Sequence, residues 1–192
     1  MEMLTGVLGA FGLSASAGLN AYIPLLVISL TARFTDLIHL REPWDALTSW
    51  WIIGLLLVLS LIEFFADKVP AVNHANDAIQ TFVRPVAGAI VFAASANVIT
   101  EVHPFLALGA GVLVSGAVHV VKSAAVRPAV TASTGGVGNV PVSVAEDIIA
   151  TGLSILAIII PILIAFVFIL FTALIVWLFW RRNKRKEMEL PI

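Results

Sequence analysis

Uncharged apolar stretches alternate with short charged segments along the whole sequence. The uncharged stretches are residues 3–32, 46–62, 85–100, 105–121 and 148–180. A membrane-spanning helix needs about 20 predominantly apolar residues to cross a hydrocarbon core of about 30 Å. The pattern therefore predicts an all-α fold, a polytopic membrane helix bundle of about five or six spans.

Two of these stretches are too long for one straight span. At 1.5 Å per residue, 148–180 would reach roughly 50 Å, so we expect it to tilt, to kink at Pro161 or to lie partly along the membrane surface. Residues 3–32 pose the same problem, and the segment Gly18-Leu-Asn-Ala-Tyr-Ile-Pro24 lies near their middle. This segment indicates either a helix interruption at a binding site or a simple bend in a packed helix.

The composition excludes a soluble globular fold. Of the 192 residues, 60% are hydrophobic and 12% are charged, and the mean hydropathy is +1.04. A soluble domain of this length has too little interior to bury so much apolar surface. The net charge of −1 gives no reason to expect nucleic acid as a partner, and the lack of cysteine excludes disulfides, thiol catalysis and thiolate metal sites.

The two ends of the chain differ in charge. Residues 1–17 carry only Glu2 and lack the basic region of a secretory signal, so we interpret the first apolar stretch as a permanent span. We predict a single transmembrane domain over 1–180 and a basic tail over 181–192. Because basic segments next to spans stay in the cytoplasm, the tail predicts a multi-pass protein of the cell inner membrane.

The polar segments 67–84 and 122–147 are separated by two predicted spans, so they should lie on the same side of the membrane. If 148–180 crosses once, this side faces away from the basic tail. If 148–180 forms a hairpin, the tail and both segments share one side. Counting basic residues favours the hairpin, but the stretch contains no turn residues, and the sequence leaves both topologies open.

Small residues form a stripe along one face of the first predicted helix. The stripe consists of Gly6, Gly9, Gly12 and Ser16. Small residues allow helix backbones to approach closely in lipid. The stripe therefore predicts either close packing inside the bundle or contact with a second copy, and we predict a homodimer.

Charged and polar residues concentrate in two segments, 63–88 and 119–147, and at the interruption of the first stretch. Each segment contains a Lys at the end of a span, an Arg-Pro pair and an acid before the next span, which indicates a degenerate duplication of a two-helix unit. The candidate substrate-binding residues are Asn20, Asp67, Lys68, Asp77, Arg84, His119, Lys122, Arg127, Asn139, Glu146 and Asp147.

These charges have a structural and a functional interpretation. In the structural one, four acids and four bases form a salt-bridge network, with Asp77, Glu146 and Asp147 at the starts of helices, where the helix dipole favours negative charge. In the functional one, the two segments are loops that form a water-exposed vestibule for an ion or an anionic head group. Arg84 and Arg127 would bind the anion there, since a guanidinium offers a bidentate fork.

The functional interpretation assigns further roles. The glycine-rich turn 134–139 offers backbone N–H groups as an anion-binding nest, although it does not match a phosphate-binding loop. His119, one turn before Lys122, is a candidate proton relay. We expect neutralising Arg84 or Arg127 to abolish function at little cost in stability, and neutralising Asp77 or Asp147 to destabilise the fold.

Metal-dependent chemistry is a third interpretation. Hard oxygen ligands and one imidazole are offered by Asp67, His74, Asp77, Glu146 and Asp147. No metalloenzyme spacing and no Ser-His-Asp arrangement are visible, so the sequence favours binding or transport over catalysis and predicts no cofactor.

The motifs together resemble one family of small bacterial multi-span membrane proteins, the domain of unknown function 4126. The residues that carry the resemblance are Gly18-Leu-Asn-Ala-Tyr-Ile-Pro24, Ala66-Asp-Lys-Val-Pro70 with Asp77, Arg84-Pro-Val-Ala-Gly88, and Lys122, Arg127-Pro128, Ser143 and Glu146-Asp147. Where the family leads us to expect another acid after Pro70, this chain has Asn73 and His74. The resemblance implies a helical fold and a membrane location over nearly the whole chain up to Trp180, and it implies no activity.

The leading functional hypothesis is a small transporter or channel for an ion or anionic solute, with membrane lipids as its surroundings. The alternatives are a translocase of polyprenyl phosphate or phospholipid, a metal-dependent membrane enzyme, and a structural or assembly subunit.

Overall fold

Helices are the regular elements of the protein, which is described by a computed structural model over residues 2–68, 70–99 and 103–161, with residues 166, 169–170, 172–173, 177 and 180. In chain order they are α1 (Glu2–Leu19), α2 (Tyr22–Phe34), a 3-10 helix (Trp44–Thr48), α3 (Trp50–Ala66), α4 (Pro70–Ile99), α5 (Pro104–Val121), a π-helical turn (Lys122–Val126), α6 (Arg127–Thr134) and α7 (Asn139–Ile159).

Three stretches among these residues are long and apolar enough to cross a membrane: Asn76–Ser95, Pro104–Thr134 and Asn139–Ile159. Three further helices are apolar but shorter: Thr5–Leu19, Tyr22–Phe34 and Trp50–Ala66. The predicted all-α membrane bundle is confirmed, and the protein is a membrane protein.

The first apolar stretch is interrupted, as one of the two interpretations expected. α1 ends at Leu19 and α2 begins at Tyr22, and the side chain of Asn20 caps the second helix. Its Oδ1 accepts hydrogen bonds from the backbone N–H groups of Tyr22 at 3.1 Å and Ile23 at 3.0 Å. Asparagine is a preferred residue at this position because it satisfies N–H groups that have no partner within the helix.

The interruption reverses the chain direction. α1 runs antiparallel to α7, since Ser16 Oγ donates to the carbonyl of Ala150 at 2.7 Å and Asn20 contacts Asp147 farther along. α2 then leads back toward the start of α3, where Arg33 donates to the carbonyl of Thr48 at 2.7 Å. α1 and α2 therefore form a hairpin with its tip at Asn20.

A cavity of about 310 Å³ lies at the open end of this hairpin. It is lined by Thr5 and Gly9 from α1, by Leu37 and Ile38 from the segment after α2, and by Pro161. The start of α1 and the end of α2 are thus close together, on the side away from the tip.

The small-residue stripe of α1 packs within the chain. Gly6, Gly9, Gly12 and Ser16 are all buried. A methyl group on Gly9 would lie 2.9 Å from the carbonyl oxygen of Ala157 in α7. The stripe serves internal packing, so it no longer supports the predicted homodimer.

The two polar segments are mainly helical, and the expectation of loops was wrong. α4 begins at Pro70 and α7 begins at Asn139, so Asp77 and Asp147 lie inside helices rather than at their starts. Within these helices, Arg84 of α4 forms an ion pair with Glu63, and Glu146 and Asp147 of α7 form ion pairs with Lys122 and Lys68. The predicted placement of both segments on one side is confirmed, since Lys68 forms an ion pair with Asp147 at 3.3 Å.

The long stretch 148–180 breaks where its proline predicted. α7 ends at Ile159, and Ile160 leaves the helical conformation with φ −135° and ψ 69°. Proline restricts the residue before it and removes a backbone donor, which explains the break at Pro161. The described residues that follow are helical, and the basic tail 181–192 lies outside the described residues.

The closest helix contact joins α4 and α5 at two glycines, Gly88 and Gly111. The same point is fixed from α1, because Ser14 Oγ donates to the carbonyl of Gly111 at 2.9 Å. A methyl group on Gly111 would lie 2.6 Å from Cα of Ala89, so only glycine fits there. The contact sets the distance between the two helices that carry Arg84 and His119.

Replacing Gly111 with Ala is expected to lower the midpoint of thermal unfolding in detergent. The added methyl group would push α4 and α5 apart, at a cost of about 1–3 kcal/mol. Gly109→Ala on the same helix is the matched control, since no atom lies within 4 Å of the added methyl group. It should leave the midpoint unchanged or raise it, because alanine is the better helix former. Equal midpoints for the two variants would contradict the close contact.

Candidate functional site

The tip of the α1–α2 hairpin is held by charged side chains from three other parts of the bundle. Lys122 Nζ donates to the carbonyl of Leu19 at 2.9 Å, and Glu63 Oε2 accepts from the N–H of Ala21 at 3.2 Å. Between them, Asn20 Nδ2 donates to Asp147 Oδ1 at 3.0 Å. The backbone groups released by the interruption are therefore bonded to charges.

Eight charged residues meet below this tip, and we call them the charge cluster. They are Glu63, Asp67, Lys68, Arg84, Lys122, Arg127, Glu146 and Asp147. Four are acidic and four are basic, so the cluster is neutral overall when all are charged. They come from the end of α3 and the turn after it, from α4, from the π-helical turn, from the start of α6 and from α7, and the bundle brings them together although they are up to 84 positions apart in sequence.

One oxygen of Asp67 lies at the centre of the charge cluster. Its Oδ2 is 3.1 Å from Arg127 Nη2, 3.7 Å from Lys122 Nζ and 3.9 Å from Arg84 Nη2. Ser143 Oγ donates to the same oxygen at 3.5 Å. Three cations and one hydroxyl thus surround a single negatively charged oxygen.

Glu63 and Glu146 bind fewer cations than Asp67 does, at shorter distances. Glu63 Oε1 accepts from Arg84 Nη2 at 2.8 Å, and the two side chains are 1% and 0% exposed. Glu146 Oε2 lies 2.9 Å from both Lys122 Nζ and Arg127 Nη2. Buried charges of opposite sign stabilise each other strongly only when each keeps its partner.

The pair Lys68–Asp147 forms the rim of the charge cluster. These side chains are 16% and 13% exposed, more than those of the other members. Lys68 Nζ also donates to the carbonyl of Phe64 at 2.8 Å and lies 3.2 Å from the centre of its ring. The charge cluster therefore approaches water on the side where α3 turns into α4.

His119 is fixed in one neutral tautomer by its neighbours. Arg84 Nη1 lies 3.1 Å from His119 Nδ1, and since a guanidinium only donates, Nδ1 must accept. The proton is then on Nε2, which donates to Thr81 Oγ1 at 3.2 Å. Thr81 in turn donates to the backbone carbonyl of Asp77 at 2.8 Å. A proton relay through His119 would require this chain of bonds to break.

Three buried polar atoms on α4 have no hydrogen-bond partner within the described residues, and the third is Ser95 Oγ. The other two, Arg84 Nε and Gln80 Oε1, lie one helical turn apart. Buried polar groups without partners are rare in folded proteins, and they commonly mark a place for a ligand or solvent. The Nε–H group of Arg84 is thus a hydrogen-bond donor without a partner among the described residues, and it lies beside Glu63.

Nine of the eleven predicted site residues meet at this place. They are Asn20, Asp67, Lys68, Arg84, His119, Lys122, Arg127, Glu146 and Asp147. Asp77 belongs to none of the ion pairs found in the described part of the chain. Asn139 lies apart, where its Nδ2 donates to Thr131 Oγ1 at 2.9 Å.

Two expectations about this site were wrong. Arg84 and Arg127 are buried rather than exposed in a vestibule, because each is enclosed by acids from other helices. The turn 134–139 is no anion nest, since the N–H groups of Val137, Gly138 and Asn139 bond to oxygens of Thr134 or Gly136 within the turn.

The sequence interpretation missed Glu63 as a member of the charge cluster and assigned its place to Asp77. The available signal was the spacing of Glu63 and Asp67, which puts both acids on one face at the end of a helix. The predicted repeat is seen only in part. Lys68 of the first unit binds Asp147 of the second, and Lys122 of the second binds Asp67 of the first, but Asp77 does not match Asp147.

The metal interpretation finds no support in the part of the chain that is described. No group of three His, Asp or Glu side chains suited to a metal ion occurs there, because the acids of the charge cluster face cations instead. The side chain of His74 lies outside the described residues.

The turn residue Asp67 has an altered acidity. Burial by itself raises the pKa of Asp67. The cations Lys122, Arg127 and Arg84, helped by a hydrogen bond from Asn76, outweigh burial and hold the pKa below its ordinary value. The charged form of Asp67 therefore stabilises the folded protein.

Neutralising one member of the buried pair Glu63–Arg84 is expected to destabilise the protein by about 3–5 kcal/mol, because the opposite charge remains buried without its partner. The measurement is thermal unfolding in detergent of Arg84→Gln, Glu63→Gln and the double variant, which should recover much of the loss. Arg41→Gln in the exposed segment before α3 is the control. Additive losses in the double variant would show that the pair does not interact.

The lowered pKa of Asp67 predicts a loss of stability in acid. Its contribution is fully present above the pKa of the unfolded chain, near 4, and disappears as the pH falls through the lower folded value. The unfolding midpoint of wild type should therefore decline below about pH 5 more steeply than that of Asp67→Asn. Asp45→Asn, in an exposed segment, should keep the wild-type decline. Parallel curves for wild type and Asp67→Asn would contradict this assignment.

Comparison with known proteins agrees with the motifs in the sequence. The model of a domain of unknown function (DUF4126) matches residues 7–181, a range that contains the whole charge cluster and the α1–α2 hairpin tip. No curated protein and no solved structure matches the chain significantly. Because the match covers nearly the whole sequence, the chain belongs to the DUF4126 family.

Proposed function

We propose that the protein is a membrane transporter for small anions, and that the transported anion binds where the carboxylate of Asp67 lies. The observation that carries this proposal is the surroundings of Asp67 Oδ2. Donors from Arg127, Lys122 and Ser143 converge on this one oxygen within 3.7 Å. Guanidinium, ammonium and hydroxyl groups around one oxyanion are the usual means of binding carboxylate, sulfate or phosphate in proteins. The carboxylate of Asp67 thus occupies a site whose donors would also bind an external anion.

The contact distances favour exchange of Asp67 over exchange of Glu63 or Glu146. Its cation contacts range from 3.1 to 3.9 Å, whereas Glu63 and Glu146 hold cations at 2.8 and 2.9 Å. Asp67 also follows the last residue of α3, in the turn before α4. An acid in a turn with longer contacts is easier to displace than an acid within a packed helix.

The interrupted helix supports transport rather than a purely structural role. Helix breaks at membrane depth occur where backbone is enclosed by protein or lines a polar site, and transporters use such breaks to bind substrates. Here Lys122 contacts both the carbonyl of Leu19 at the hairpin tip and the carboxylate of Asp67. A change in what occupies the anion site would therefore act on the hairpin directly through Lys122.

Transport is tested by uptake of radiolabelled chloride, nitrate, sulfate, phosphate and succinate into proteoliposomes. We expect at least one anion to enter faster than in protein-free liposomes. Ser143→Ala removes one neutral donor and should raise the concentration for half-maximal uptake about tenfold. Arg127→Gln should abolish uptake. Ser133→Ala is the matched control, because this hydroxyl only bonds within α6.

Two results would contradict the proposal. One is uptake of every anion at the rate of protein-free liposomes. The other is equal uptake by wild type, Ser143→Ala and Arg127→Gln, which would place the anion path elsewhere. Ser143→Ala keeps all eight charges, so it remains informative if Arg127→Gln does not fold.

A further inference from the structure

Charge balance limits how an anion enters this site. The charge cluster holds four acids and four bases in a buried environment, so its net charge is zero. Adding an anion to a neutral, buried cluster leaves one uncompensated negative charge. Such a buried charge is strongly unfavourable unless it is paired or neutralised. Anion binding therefore requires a compensating positive charge to enter as well.

We infer that the anion enters together with a proton, and that Asp67 carries this proton while the anion is bound. This inference rests on the proposed function. In the step, the ion pairs between the Asp67 carboxylate and its three cations break. One O–H bond of a hydronium ion breaks and leaves a water molecule, its proton forms an O–H bond with the carboxylate, and the anion takes over the cations. Charge is conserved in the buried site, and no electrons are transferred.

Among the described residues, the groups that face Asp67 fit this step. The cations that would pass to the anion are Arg84 from α4, Lys122 and Arg127. The neutral groups that remain are Asn76, whose Nδ2 donates to Asp67 Oδ1 at 2.7 Å, and Ser143. A protonated carboxyl group suits them, since the hydroxyl of Ser143 is able to accept as well as donate.

The other charged groups nearby are already engaged. Glu63 keeps Arg84 Nη2 and the N–H of Ala21, and Glu146 keeps Lys122 and Arg127. His119 accepts from Arg84 and offers no free nitrogen lone pair for a proton. Asp67 is the acid that loses most of its cation contacts when an anion arrives.

The acidity of Asp67 agrees with this linkage. Burial raises the pKa of Asp67, and its three cations lower it. If an anion engages those cations, burial is left as the dominant influence, and the carboxylate gains a proton. The rim pair Lys68–Asp147 gives a route to water, because Lys68 is adjacent to Asp67 in sequence and partly exposed.

Proteoliposomes that contain a trapped fluorescent pH indicator test the coupling. The membrane potential is held at zero with potassium and valinomycin, and an inward gradient of chloride or nitrate is imposed, since these monovalent anions do not buffer near neutral pH. Wild type should acidify the interior with about one proton per anion taken up. Asp67→Asn keeps the shape of the side chain without a titratable group, so whatever anion it takes up should enter without acidifying the interior.

The outcomes separate this inference from the proposed function. Anion uptake by wild type without acidification overturns proton coupling and leaves anion transport intact. Acidification that persists in Asp67→Asn overturns the assignment to Asp67. Absence of uptake for every anion in the wider panel overturns both proposals.

A measurement on wild type alone covers the case in which Asp67→Asn does not fold. In weakly buffered detergent solution at pH 7, a bound anion should raise the unfolding midpoint and remove about one proton per protein from solution. Nitrate and chloride are the probes, added at matched pH. A raised midpoint without proton uptake contradicts the inference.

Discussion

The requirement that a buried charge keeps an opposite partner governs the arrangement of this bundle. No single helix supplies both the acids and the bases of the charge cluster. The end of α3 brings two acids, α4 brings Arg84, and the segment after α5 brings Lys122 and Arg127. These elements must meet for any of the charges to be tolerated inside a membrane protein. The polar residues thus define which helices pack together, while the apolar residues define where the lipid lies.

Close packing and charge pairing support each other. Gly88 and Gly111 allow α4 and α5 to approach closely enough for Arg84 Nη1 to reach His119 Nδ1 at 3.1 Å. On α1, the small residues and Ser16 allow α7 to lie near enough for Asn20 to bond with Asp147. Long helices with large side chains at these positions would hold the charges too far apart to pair. The small residues therefore act on the polar site as well as on the apolar core.

Much of this architecture could be predicted from the sequence, and the failures share one physical origin. The apolar stretches predicted the membrane fold, and Asn20 and Pro161 marked real breaks. Pairing of charges was also predictable, because eight of them occur in nearly balanced sets. The sequence did not reveal that the polar segments continue as helices. Polarity usually indicates exposure to water, whereas here the partner of each charge is another side chain from a distant part of the chain. For the same reason Glu63, at the end of an apolar run, was assigned to no site, and Arg84 was expected to be exposed.

The α1–α2 hairpin changes whether residues 3–32 cross the membrane an odd or an even number of times. A hydropathy count takes residues 3–32 as one crossing, an odd contribution that places the two ends of the stretch on opposite sides. In the structure, Thr5 and Leu37 line the same cavity, so the stretch returns to the side from which it starts. The stretch therefore crosses the membrane an even number of times. As a result, the described segments that follow lie on the side opposite to the one assigned when residues 3–32 are counted as a single crossing. A topology prediction inverts the membrane sides in this way wherever it takes a pair of short helices for one long span.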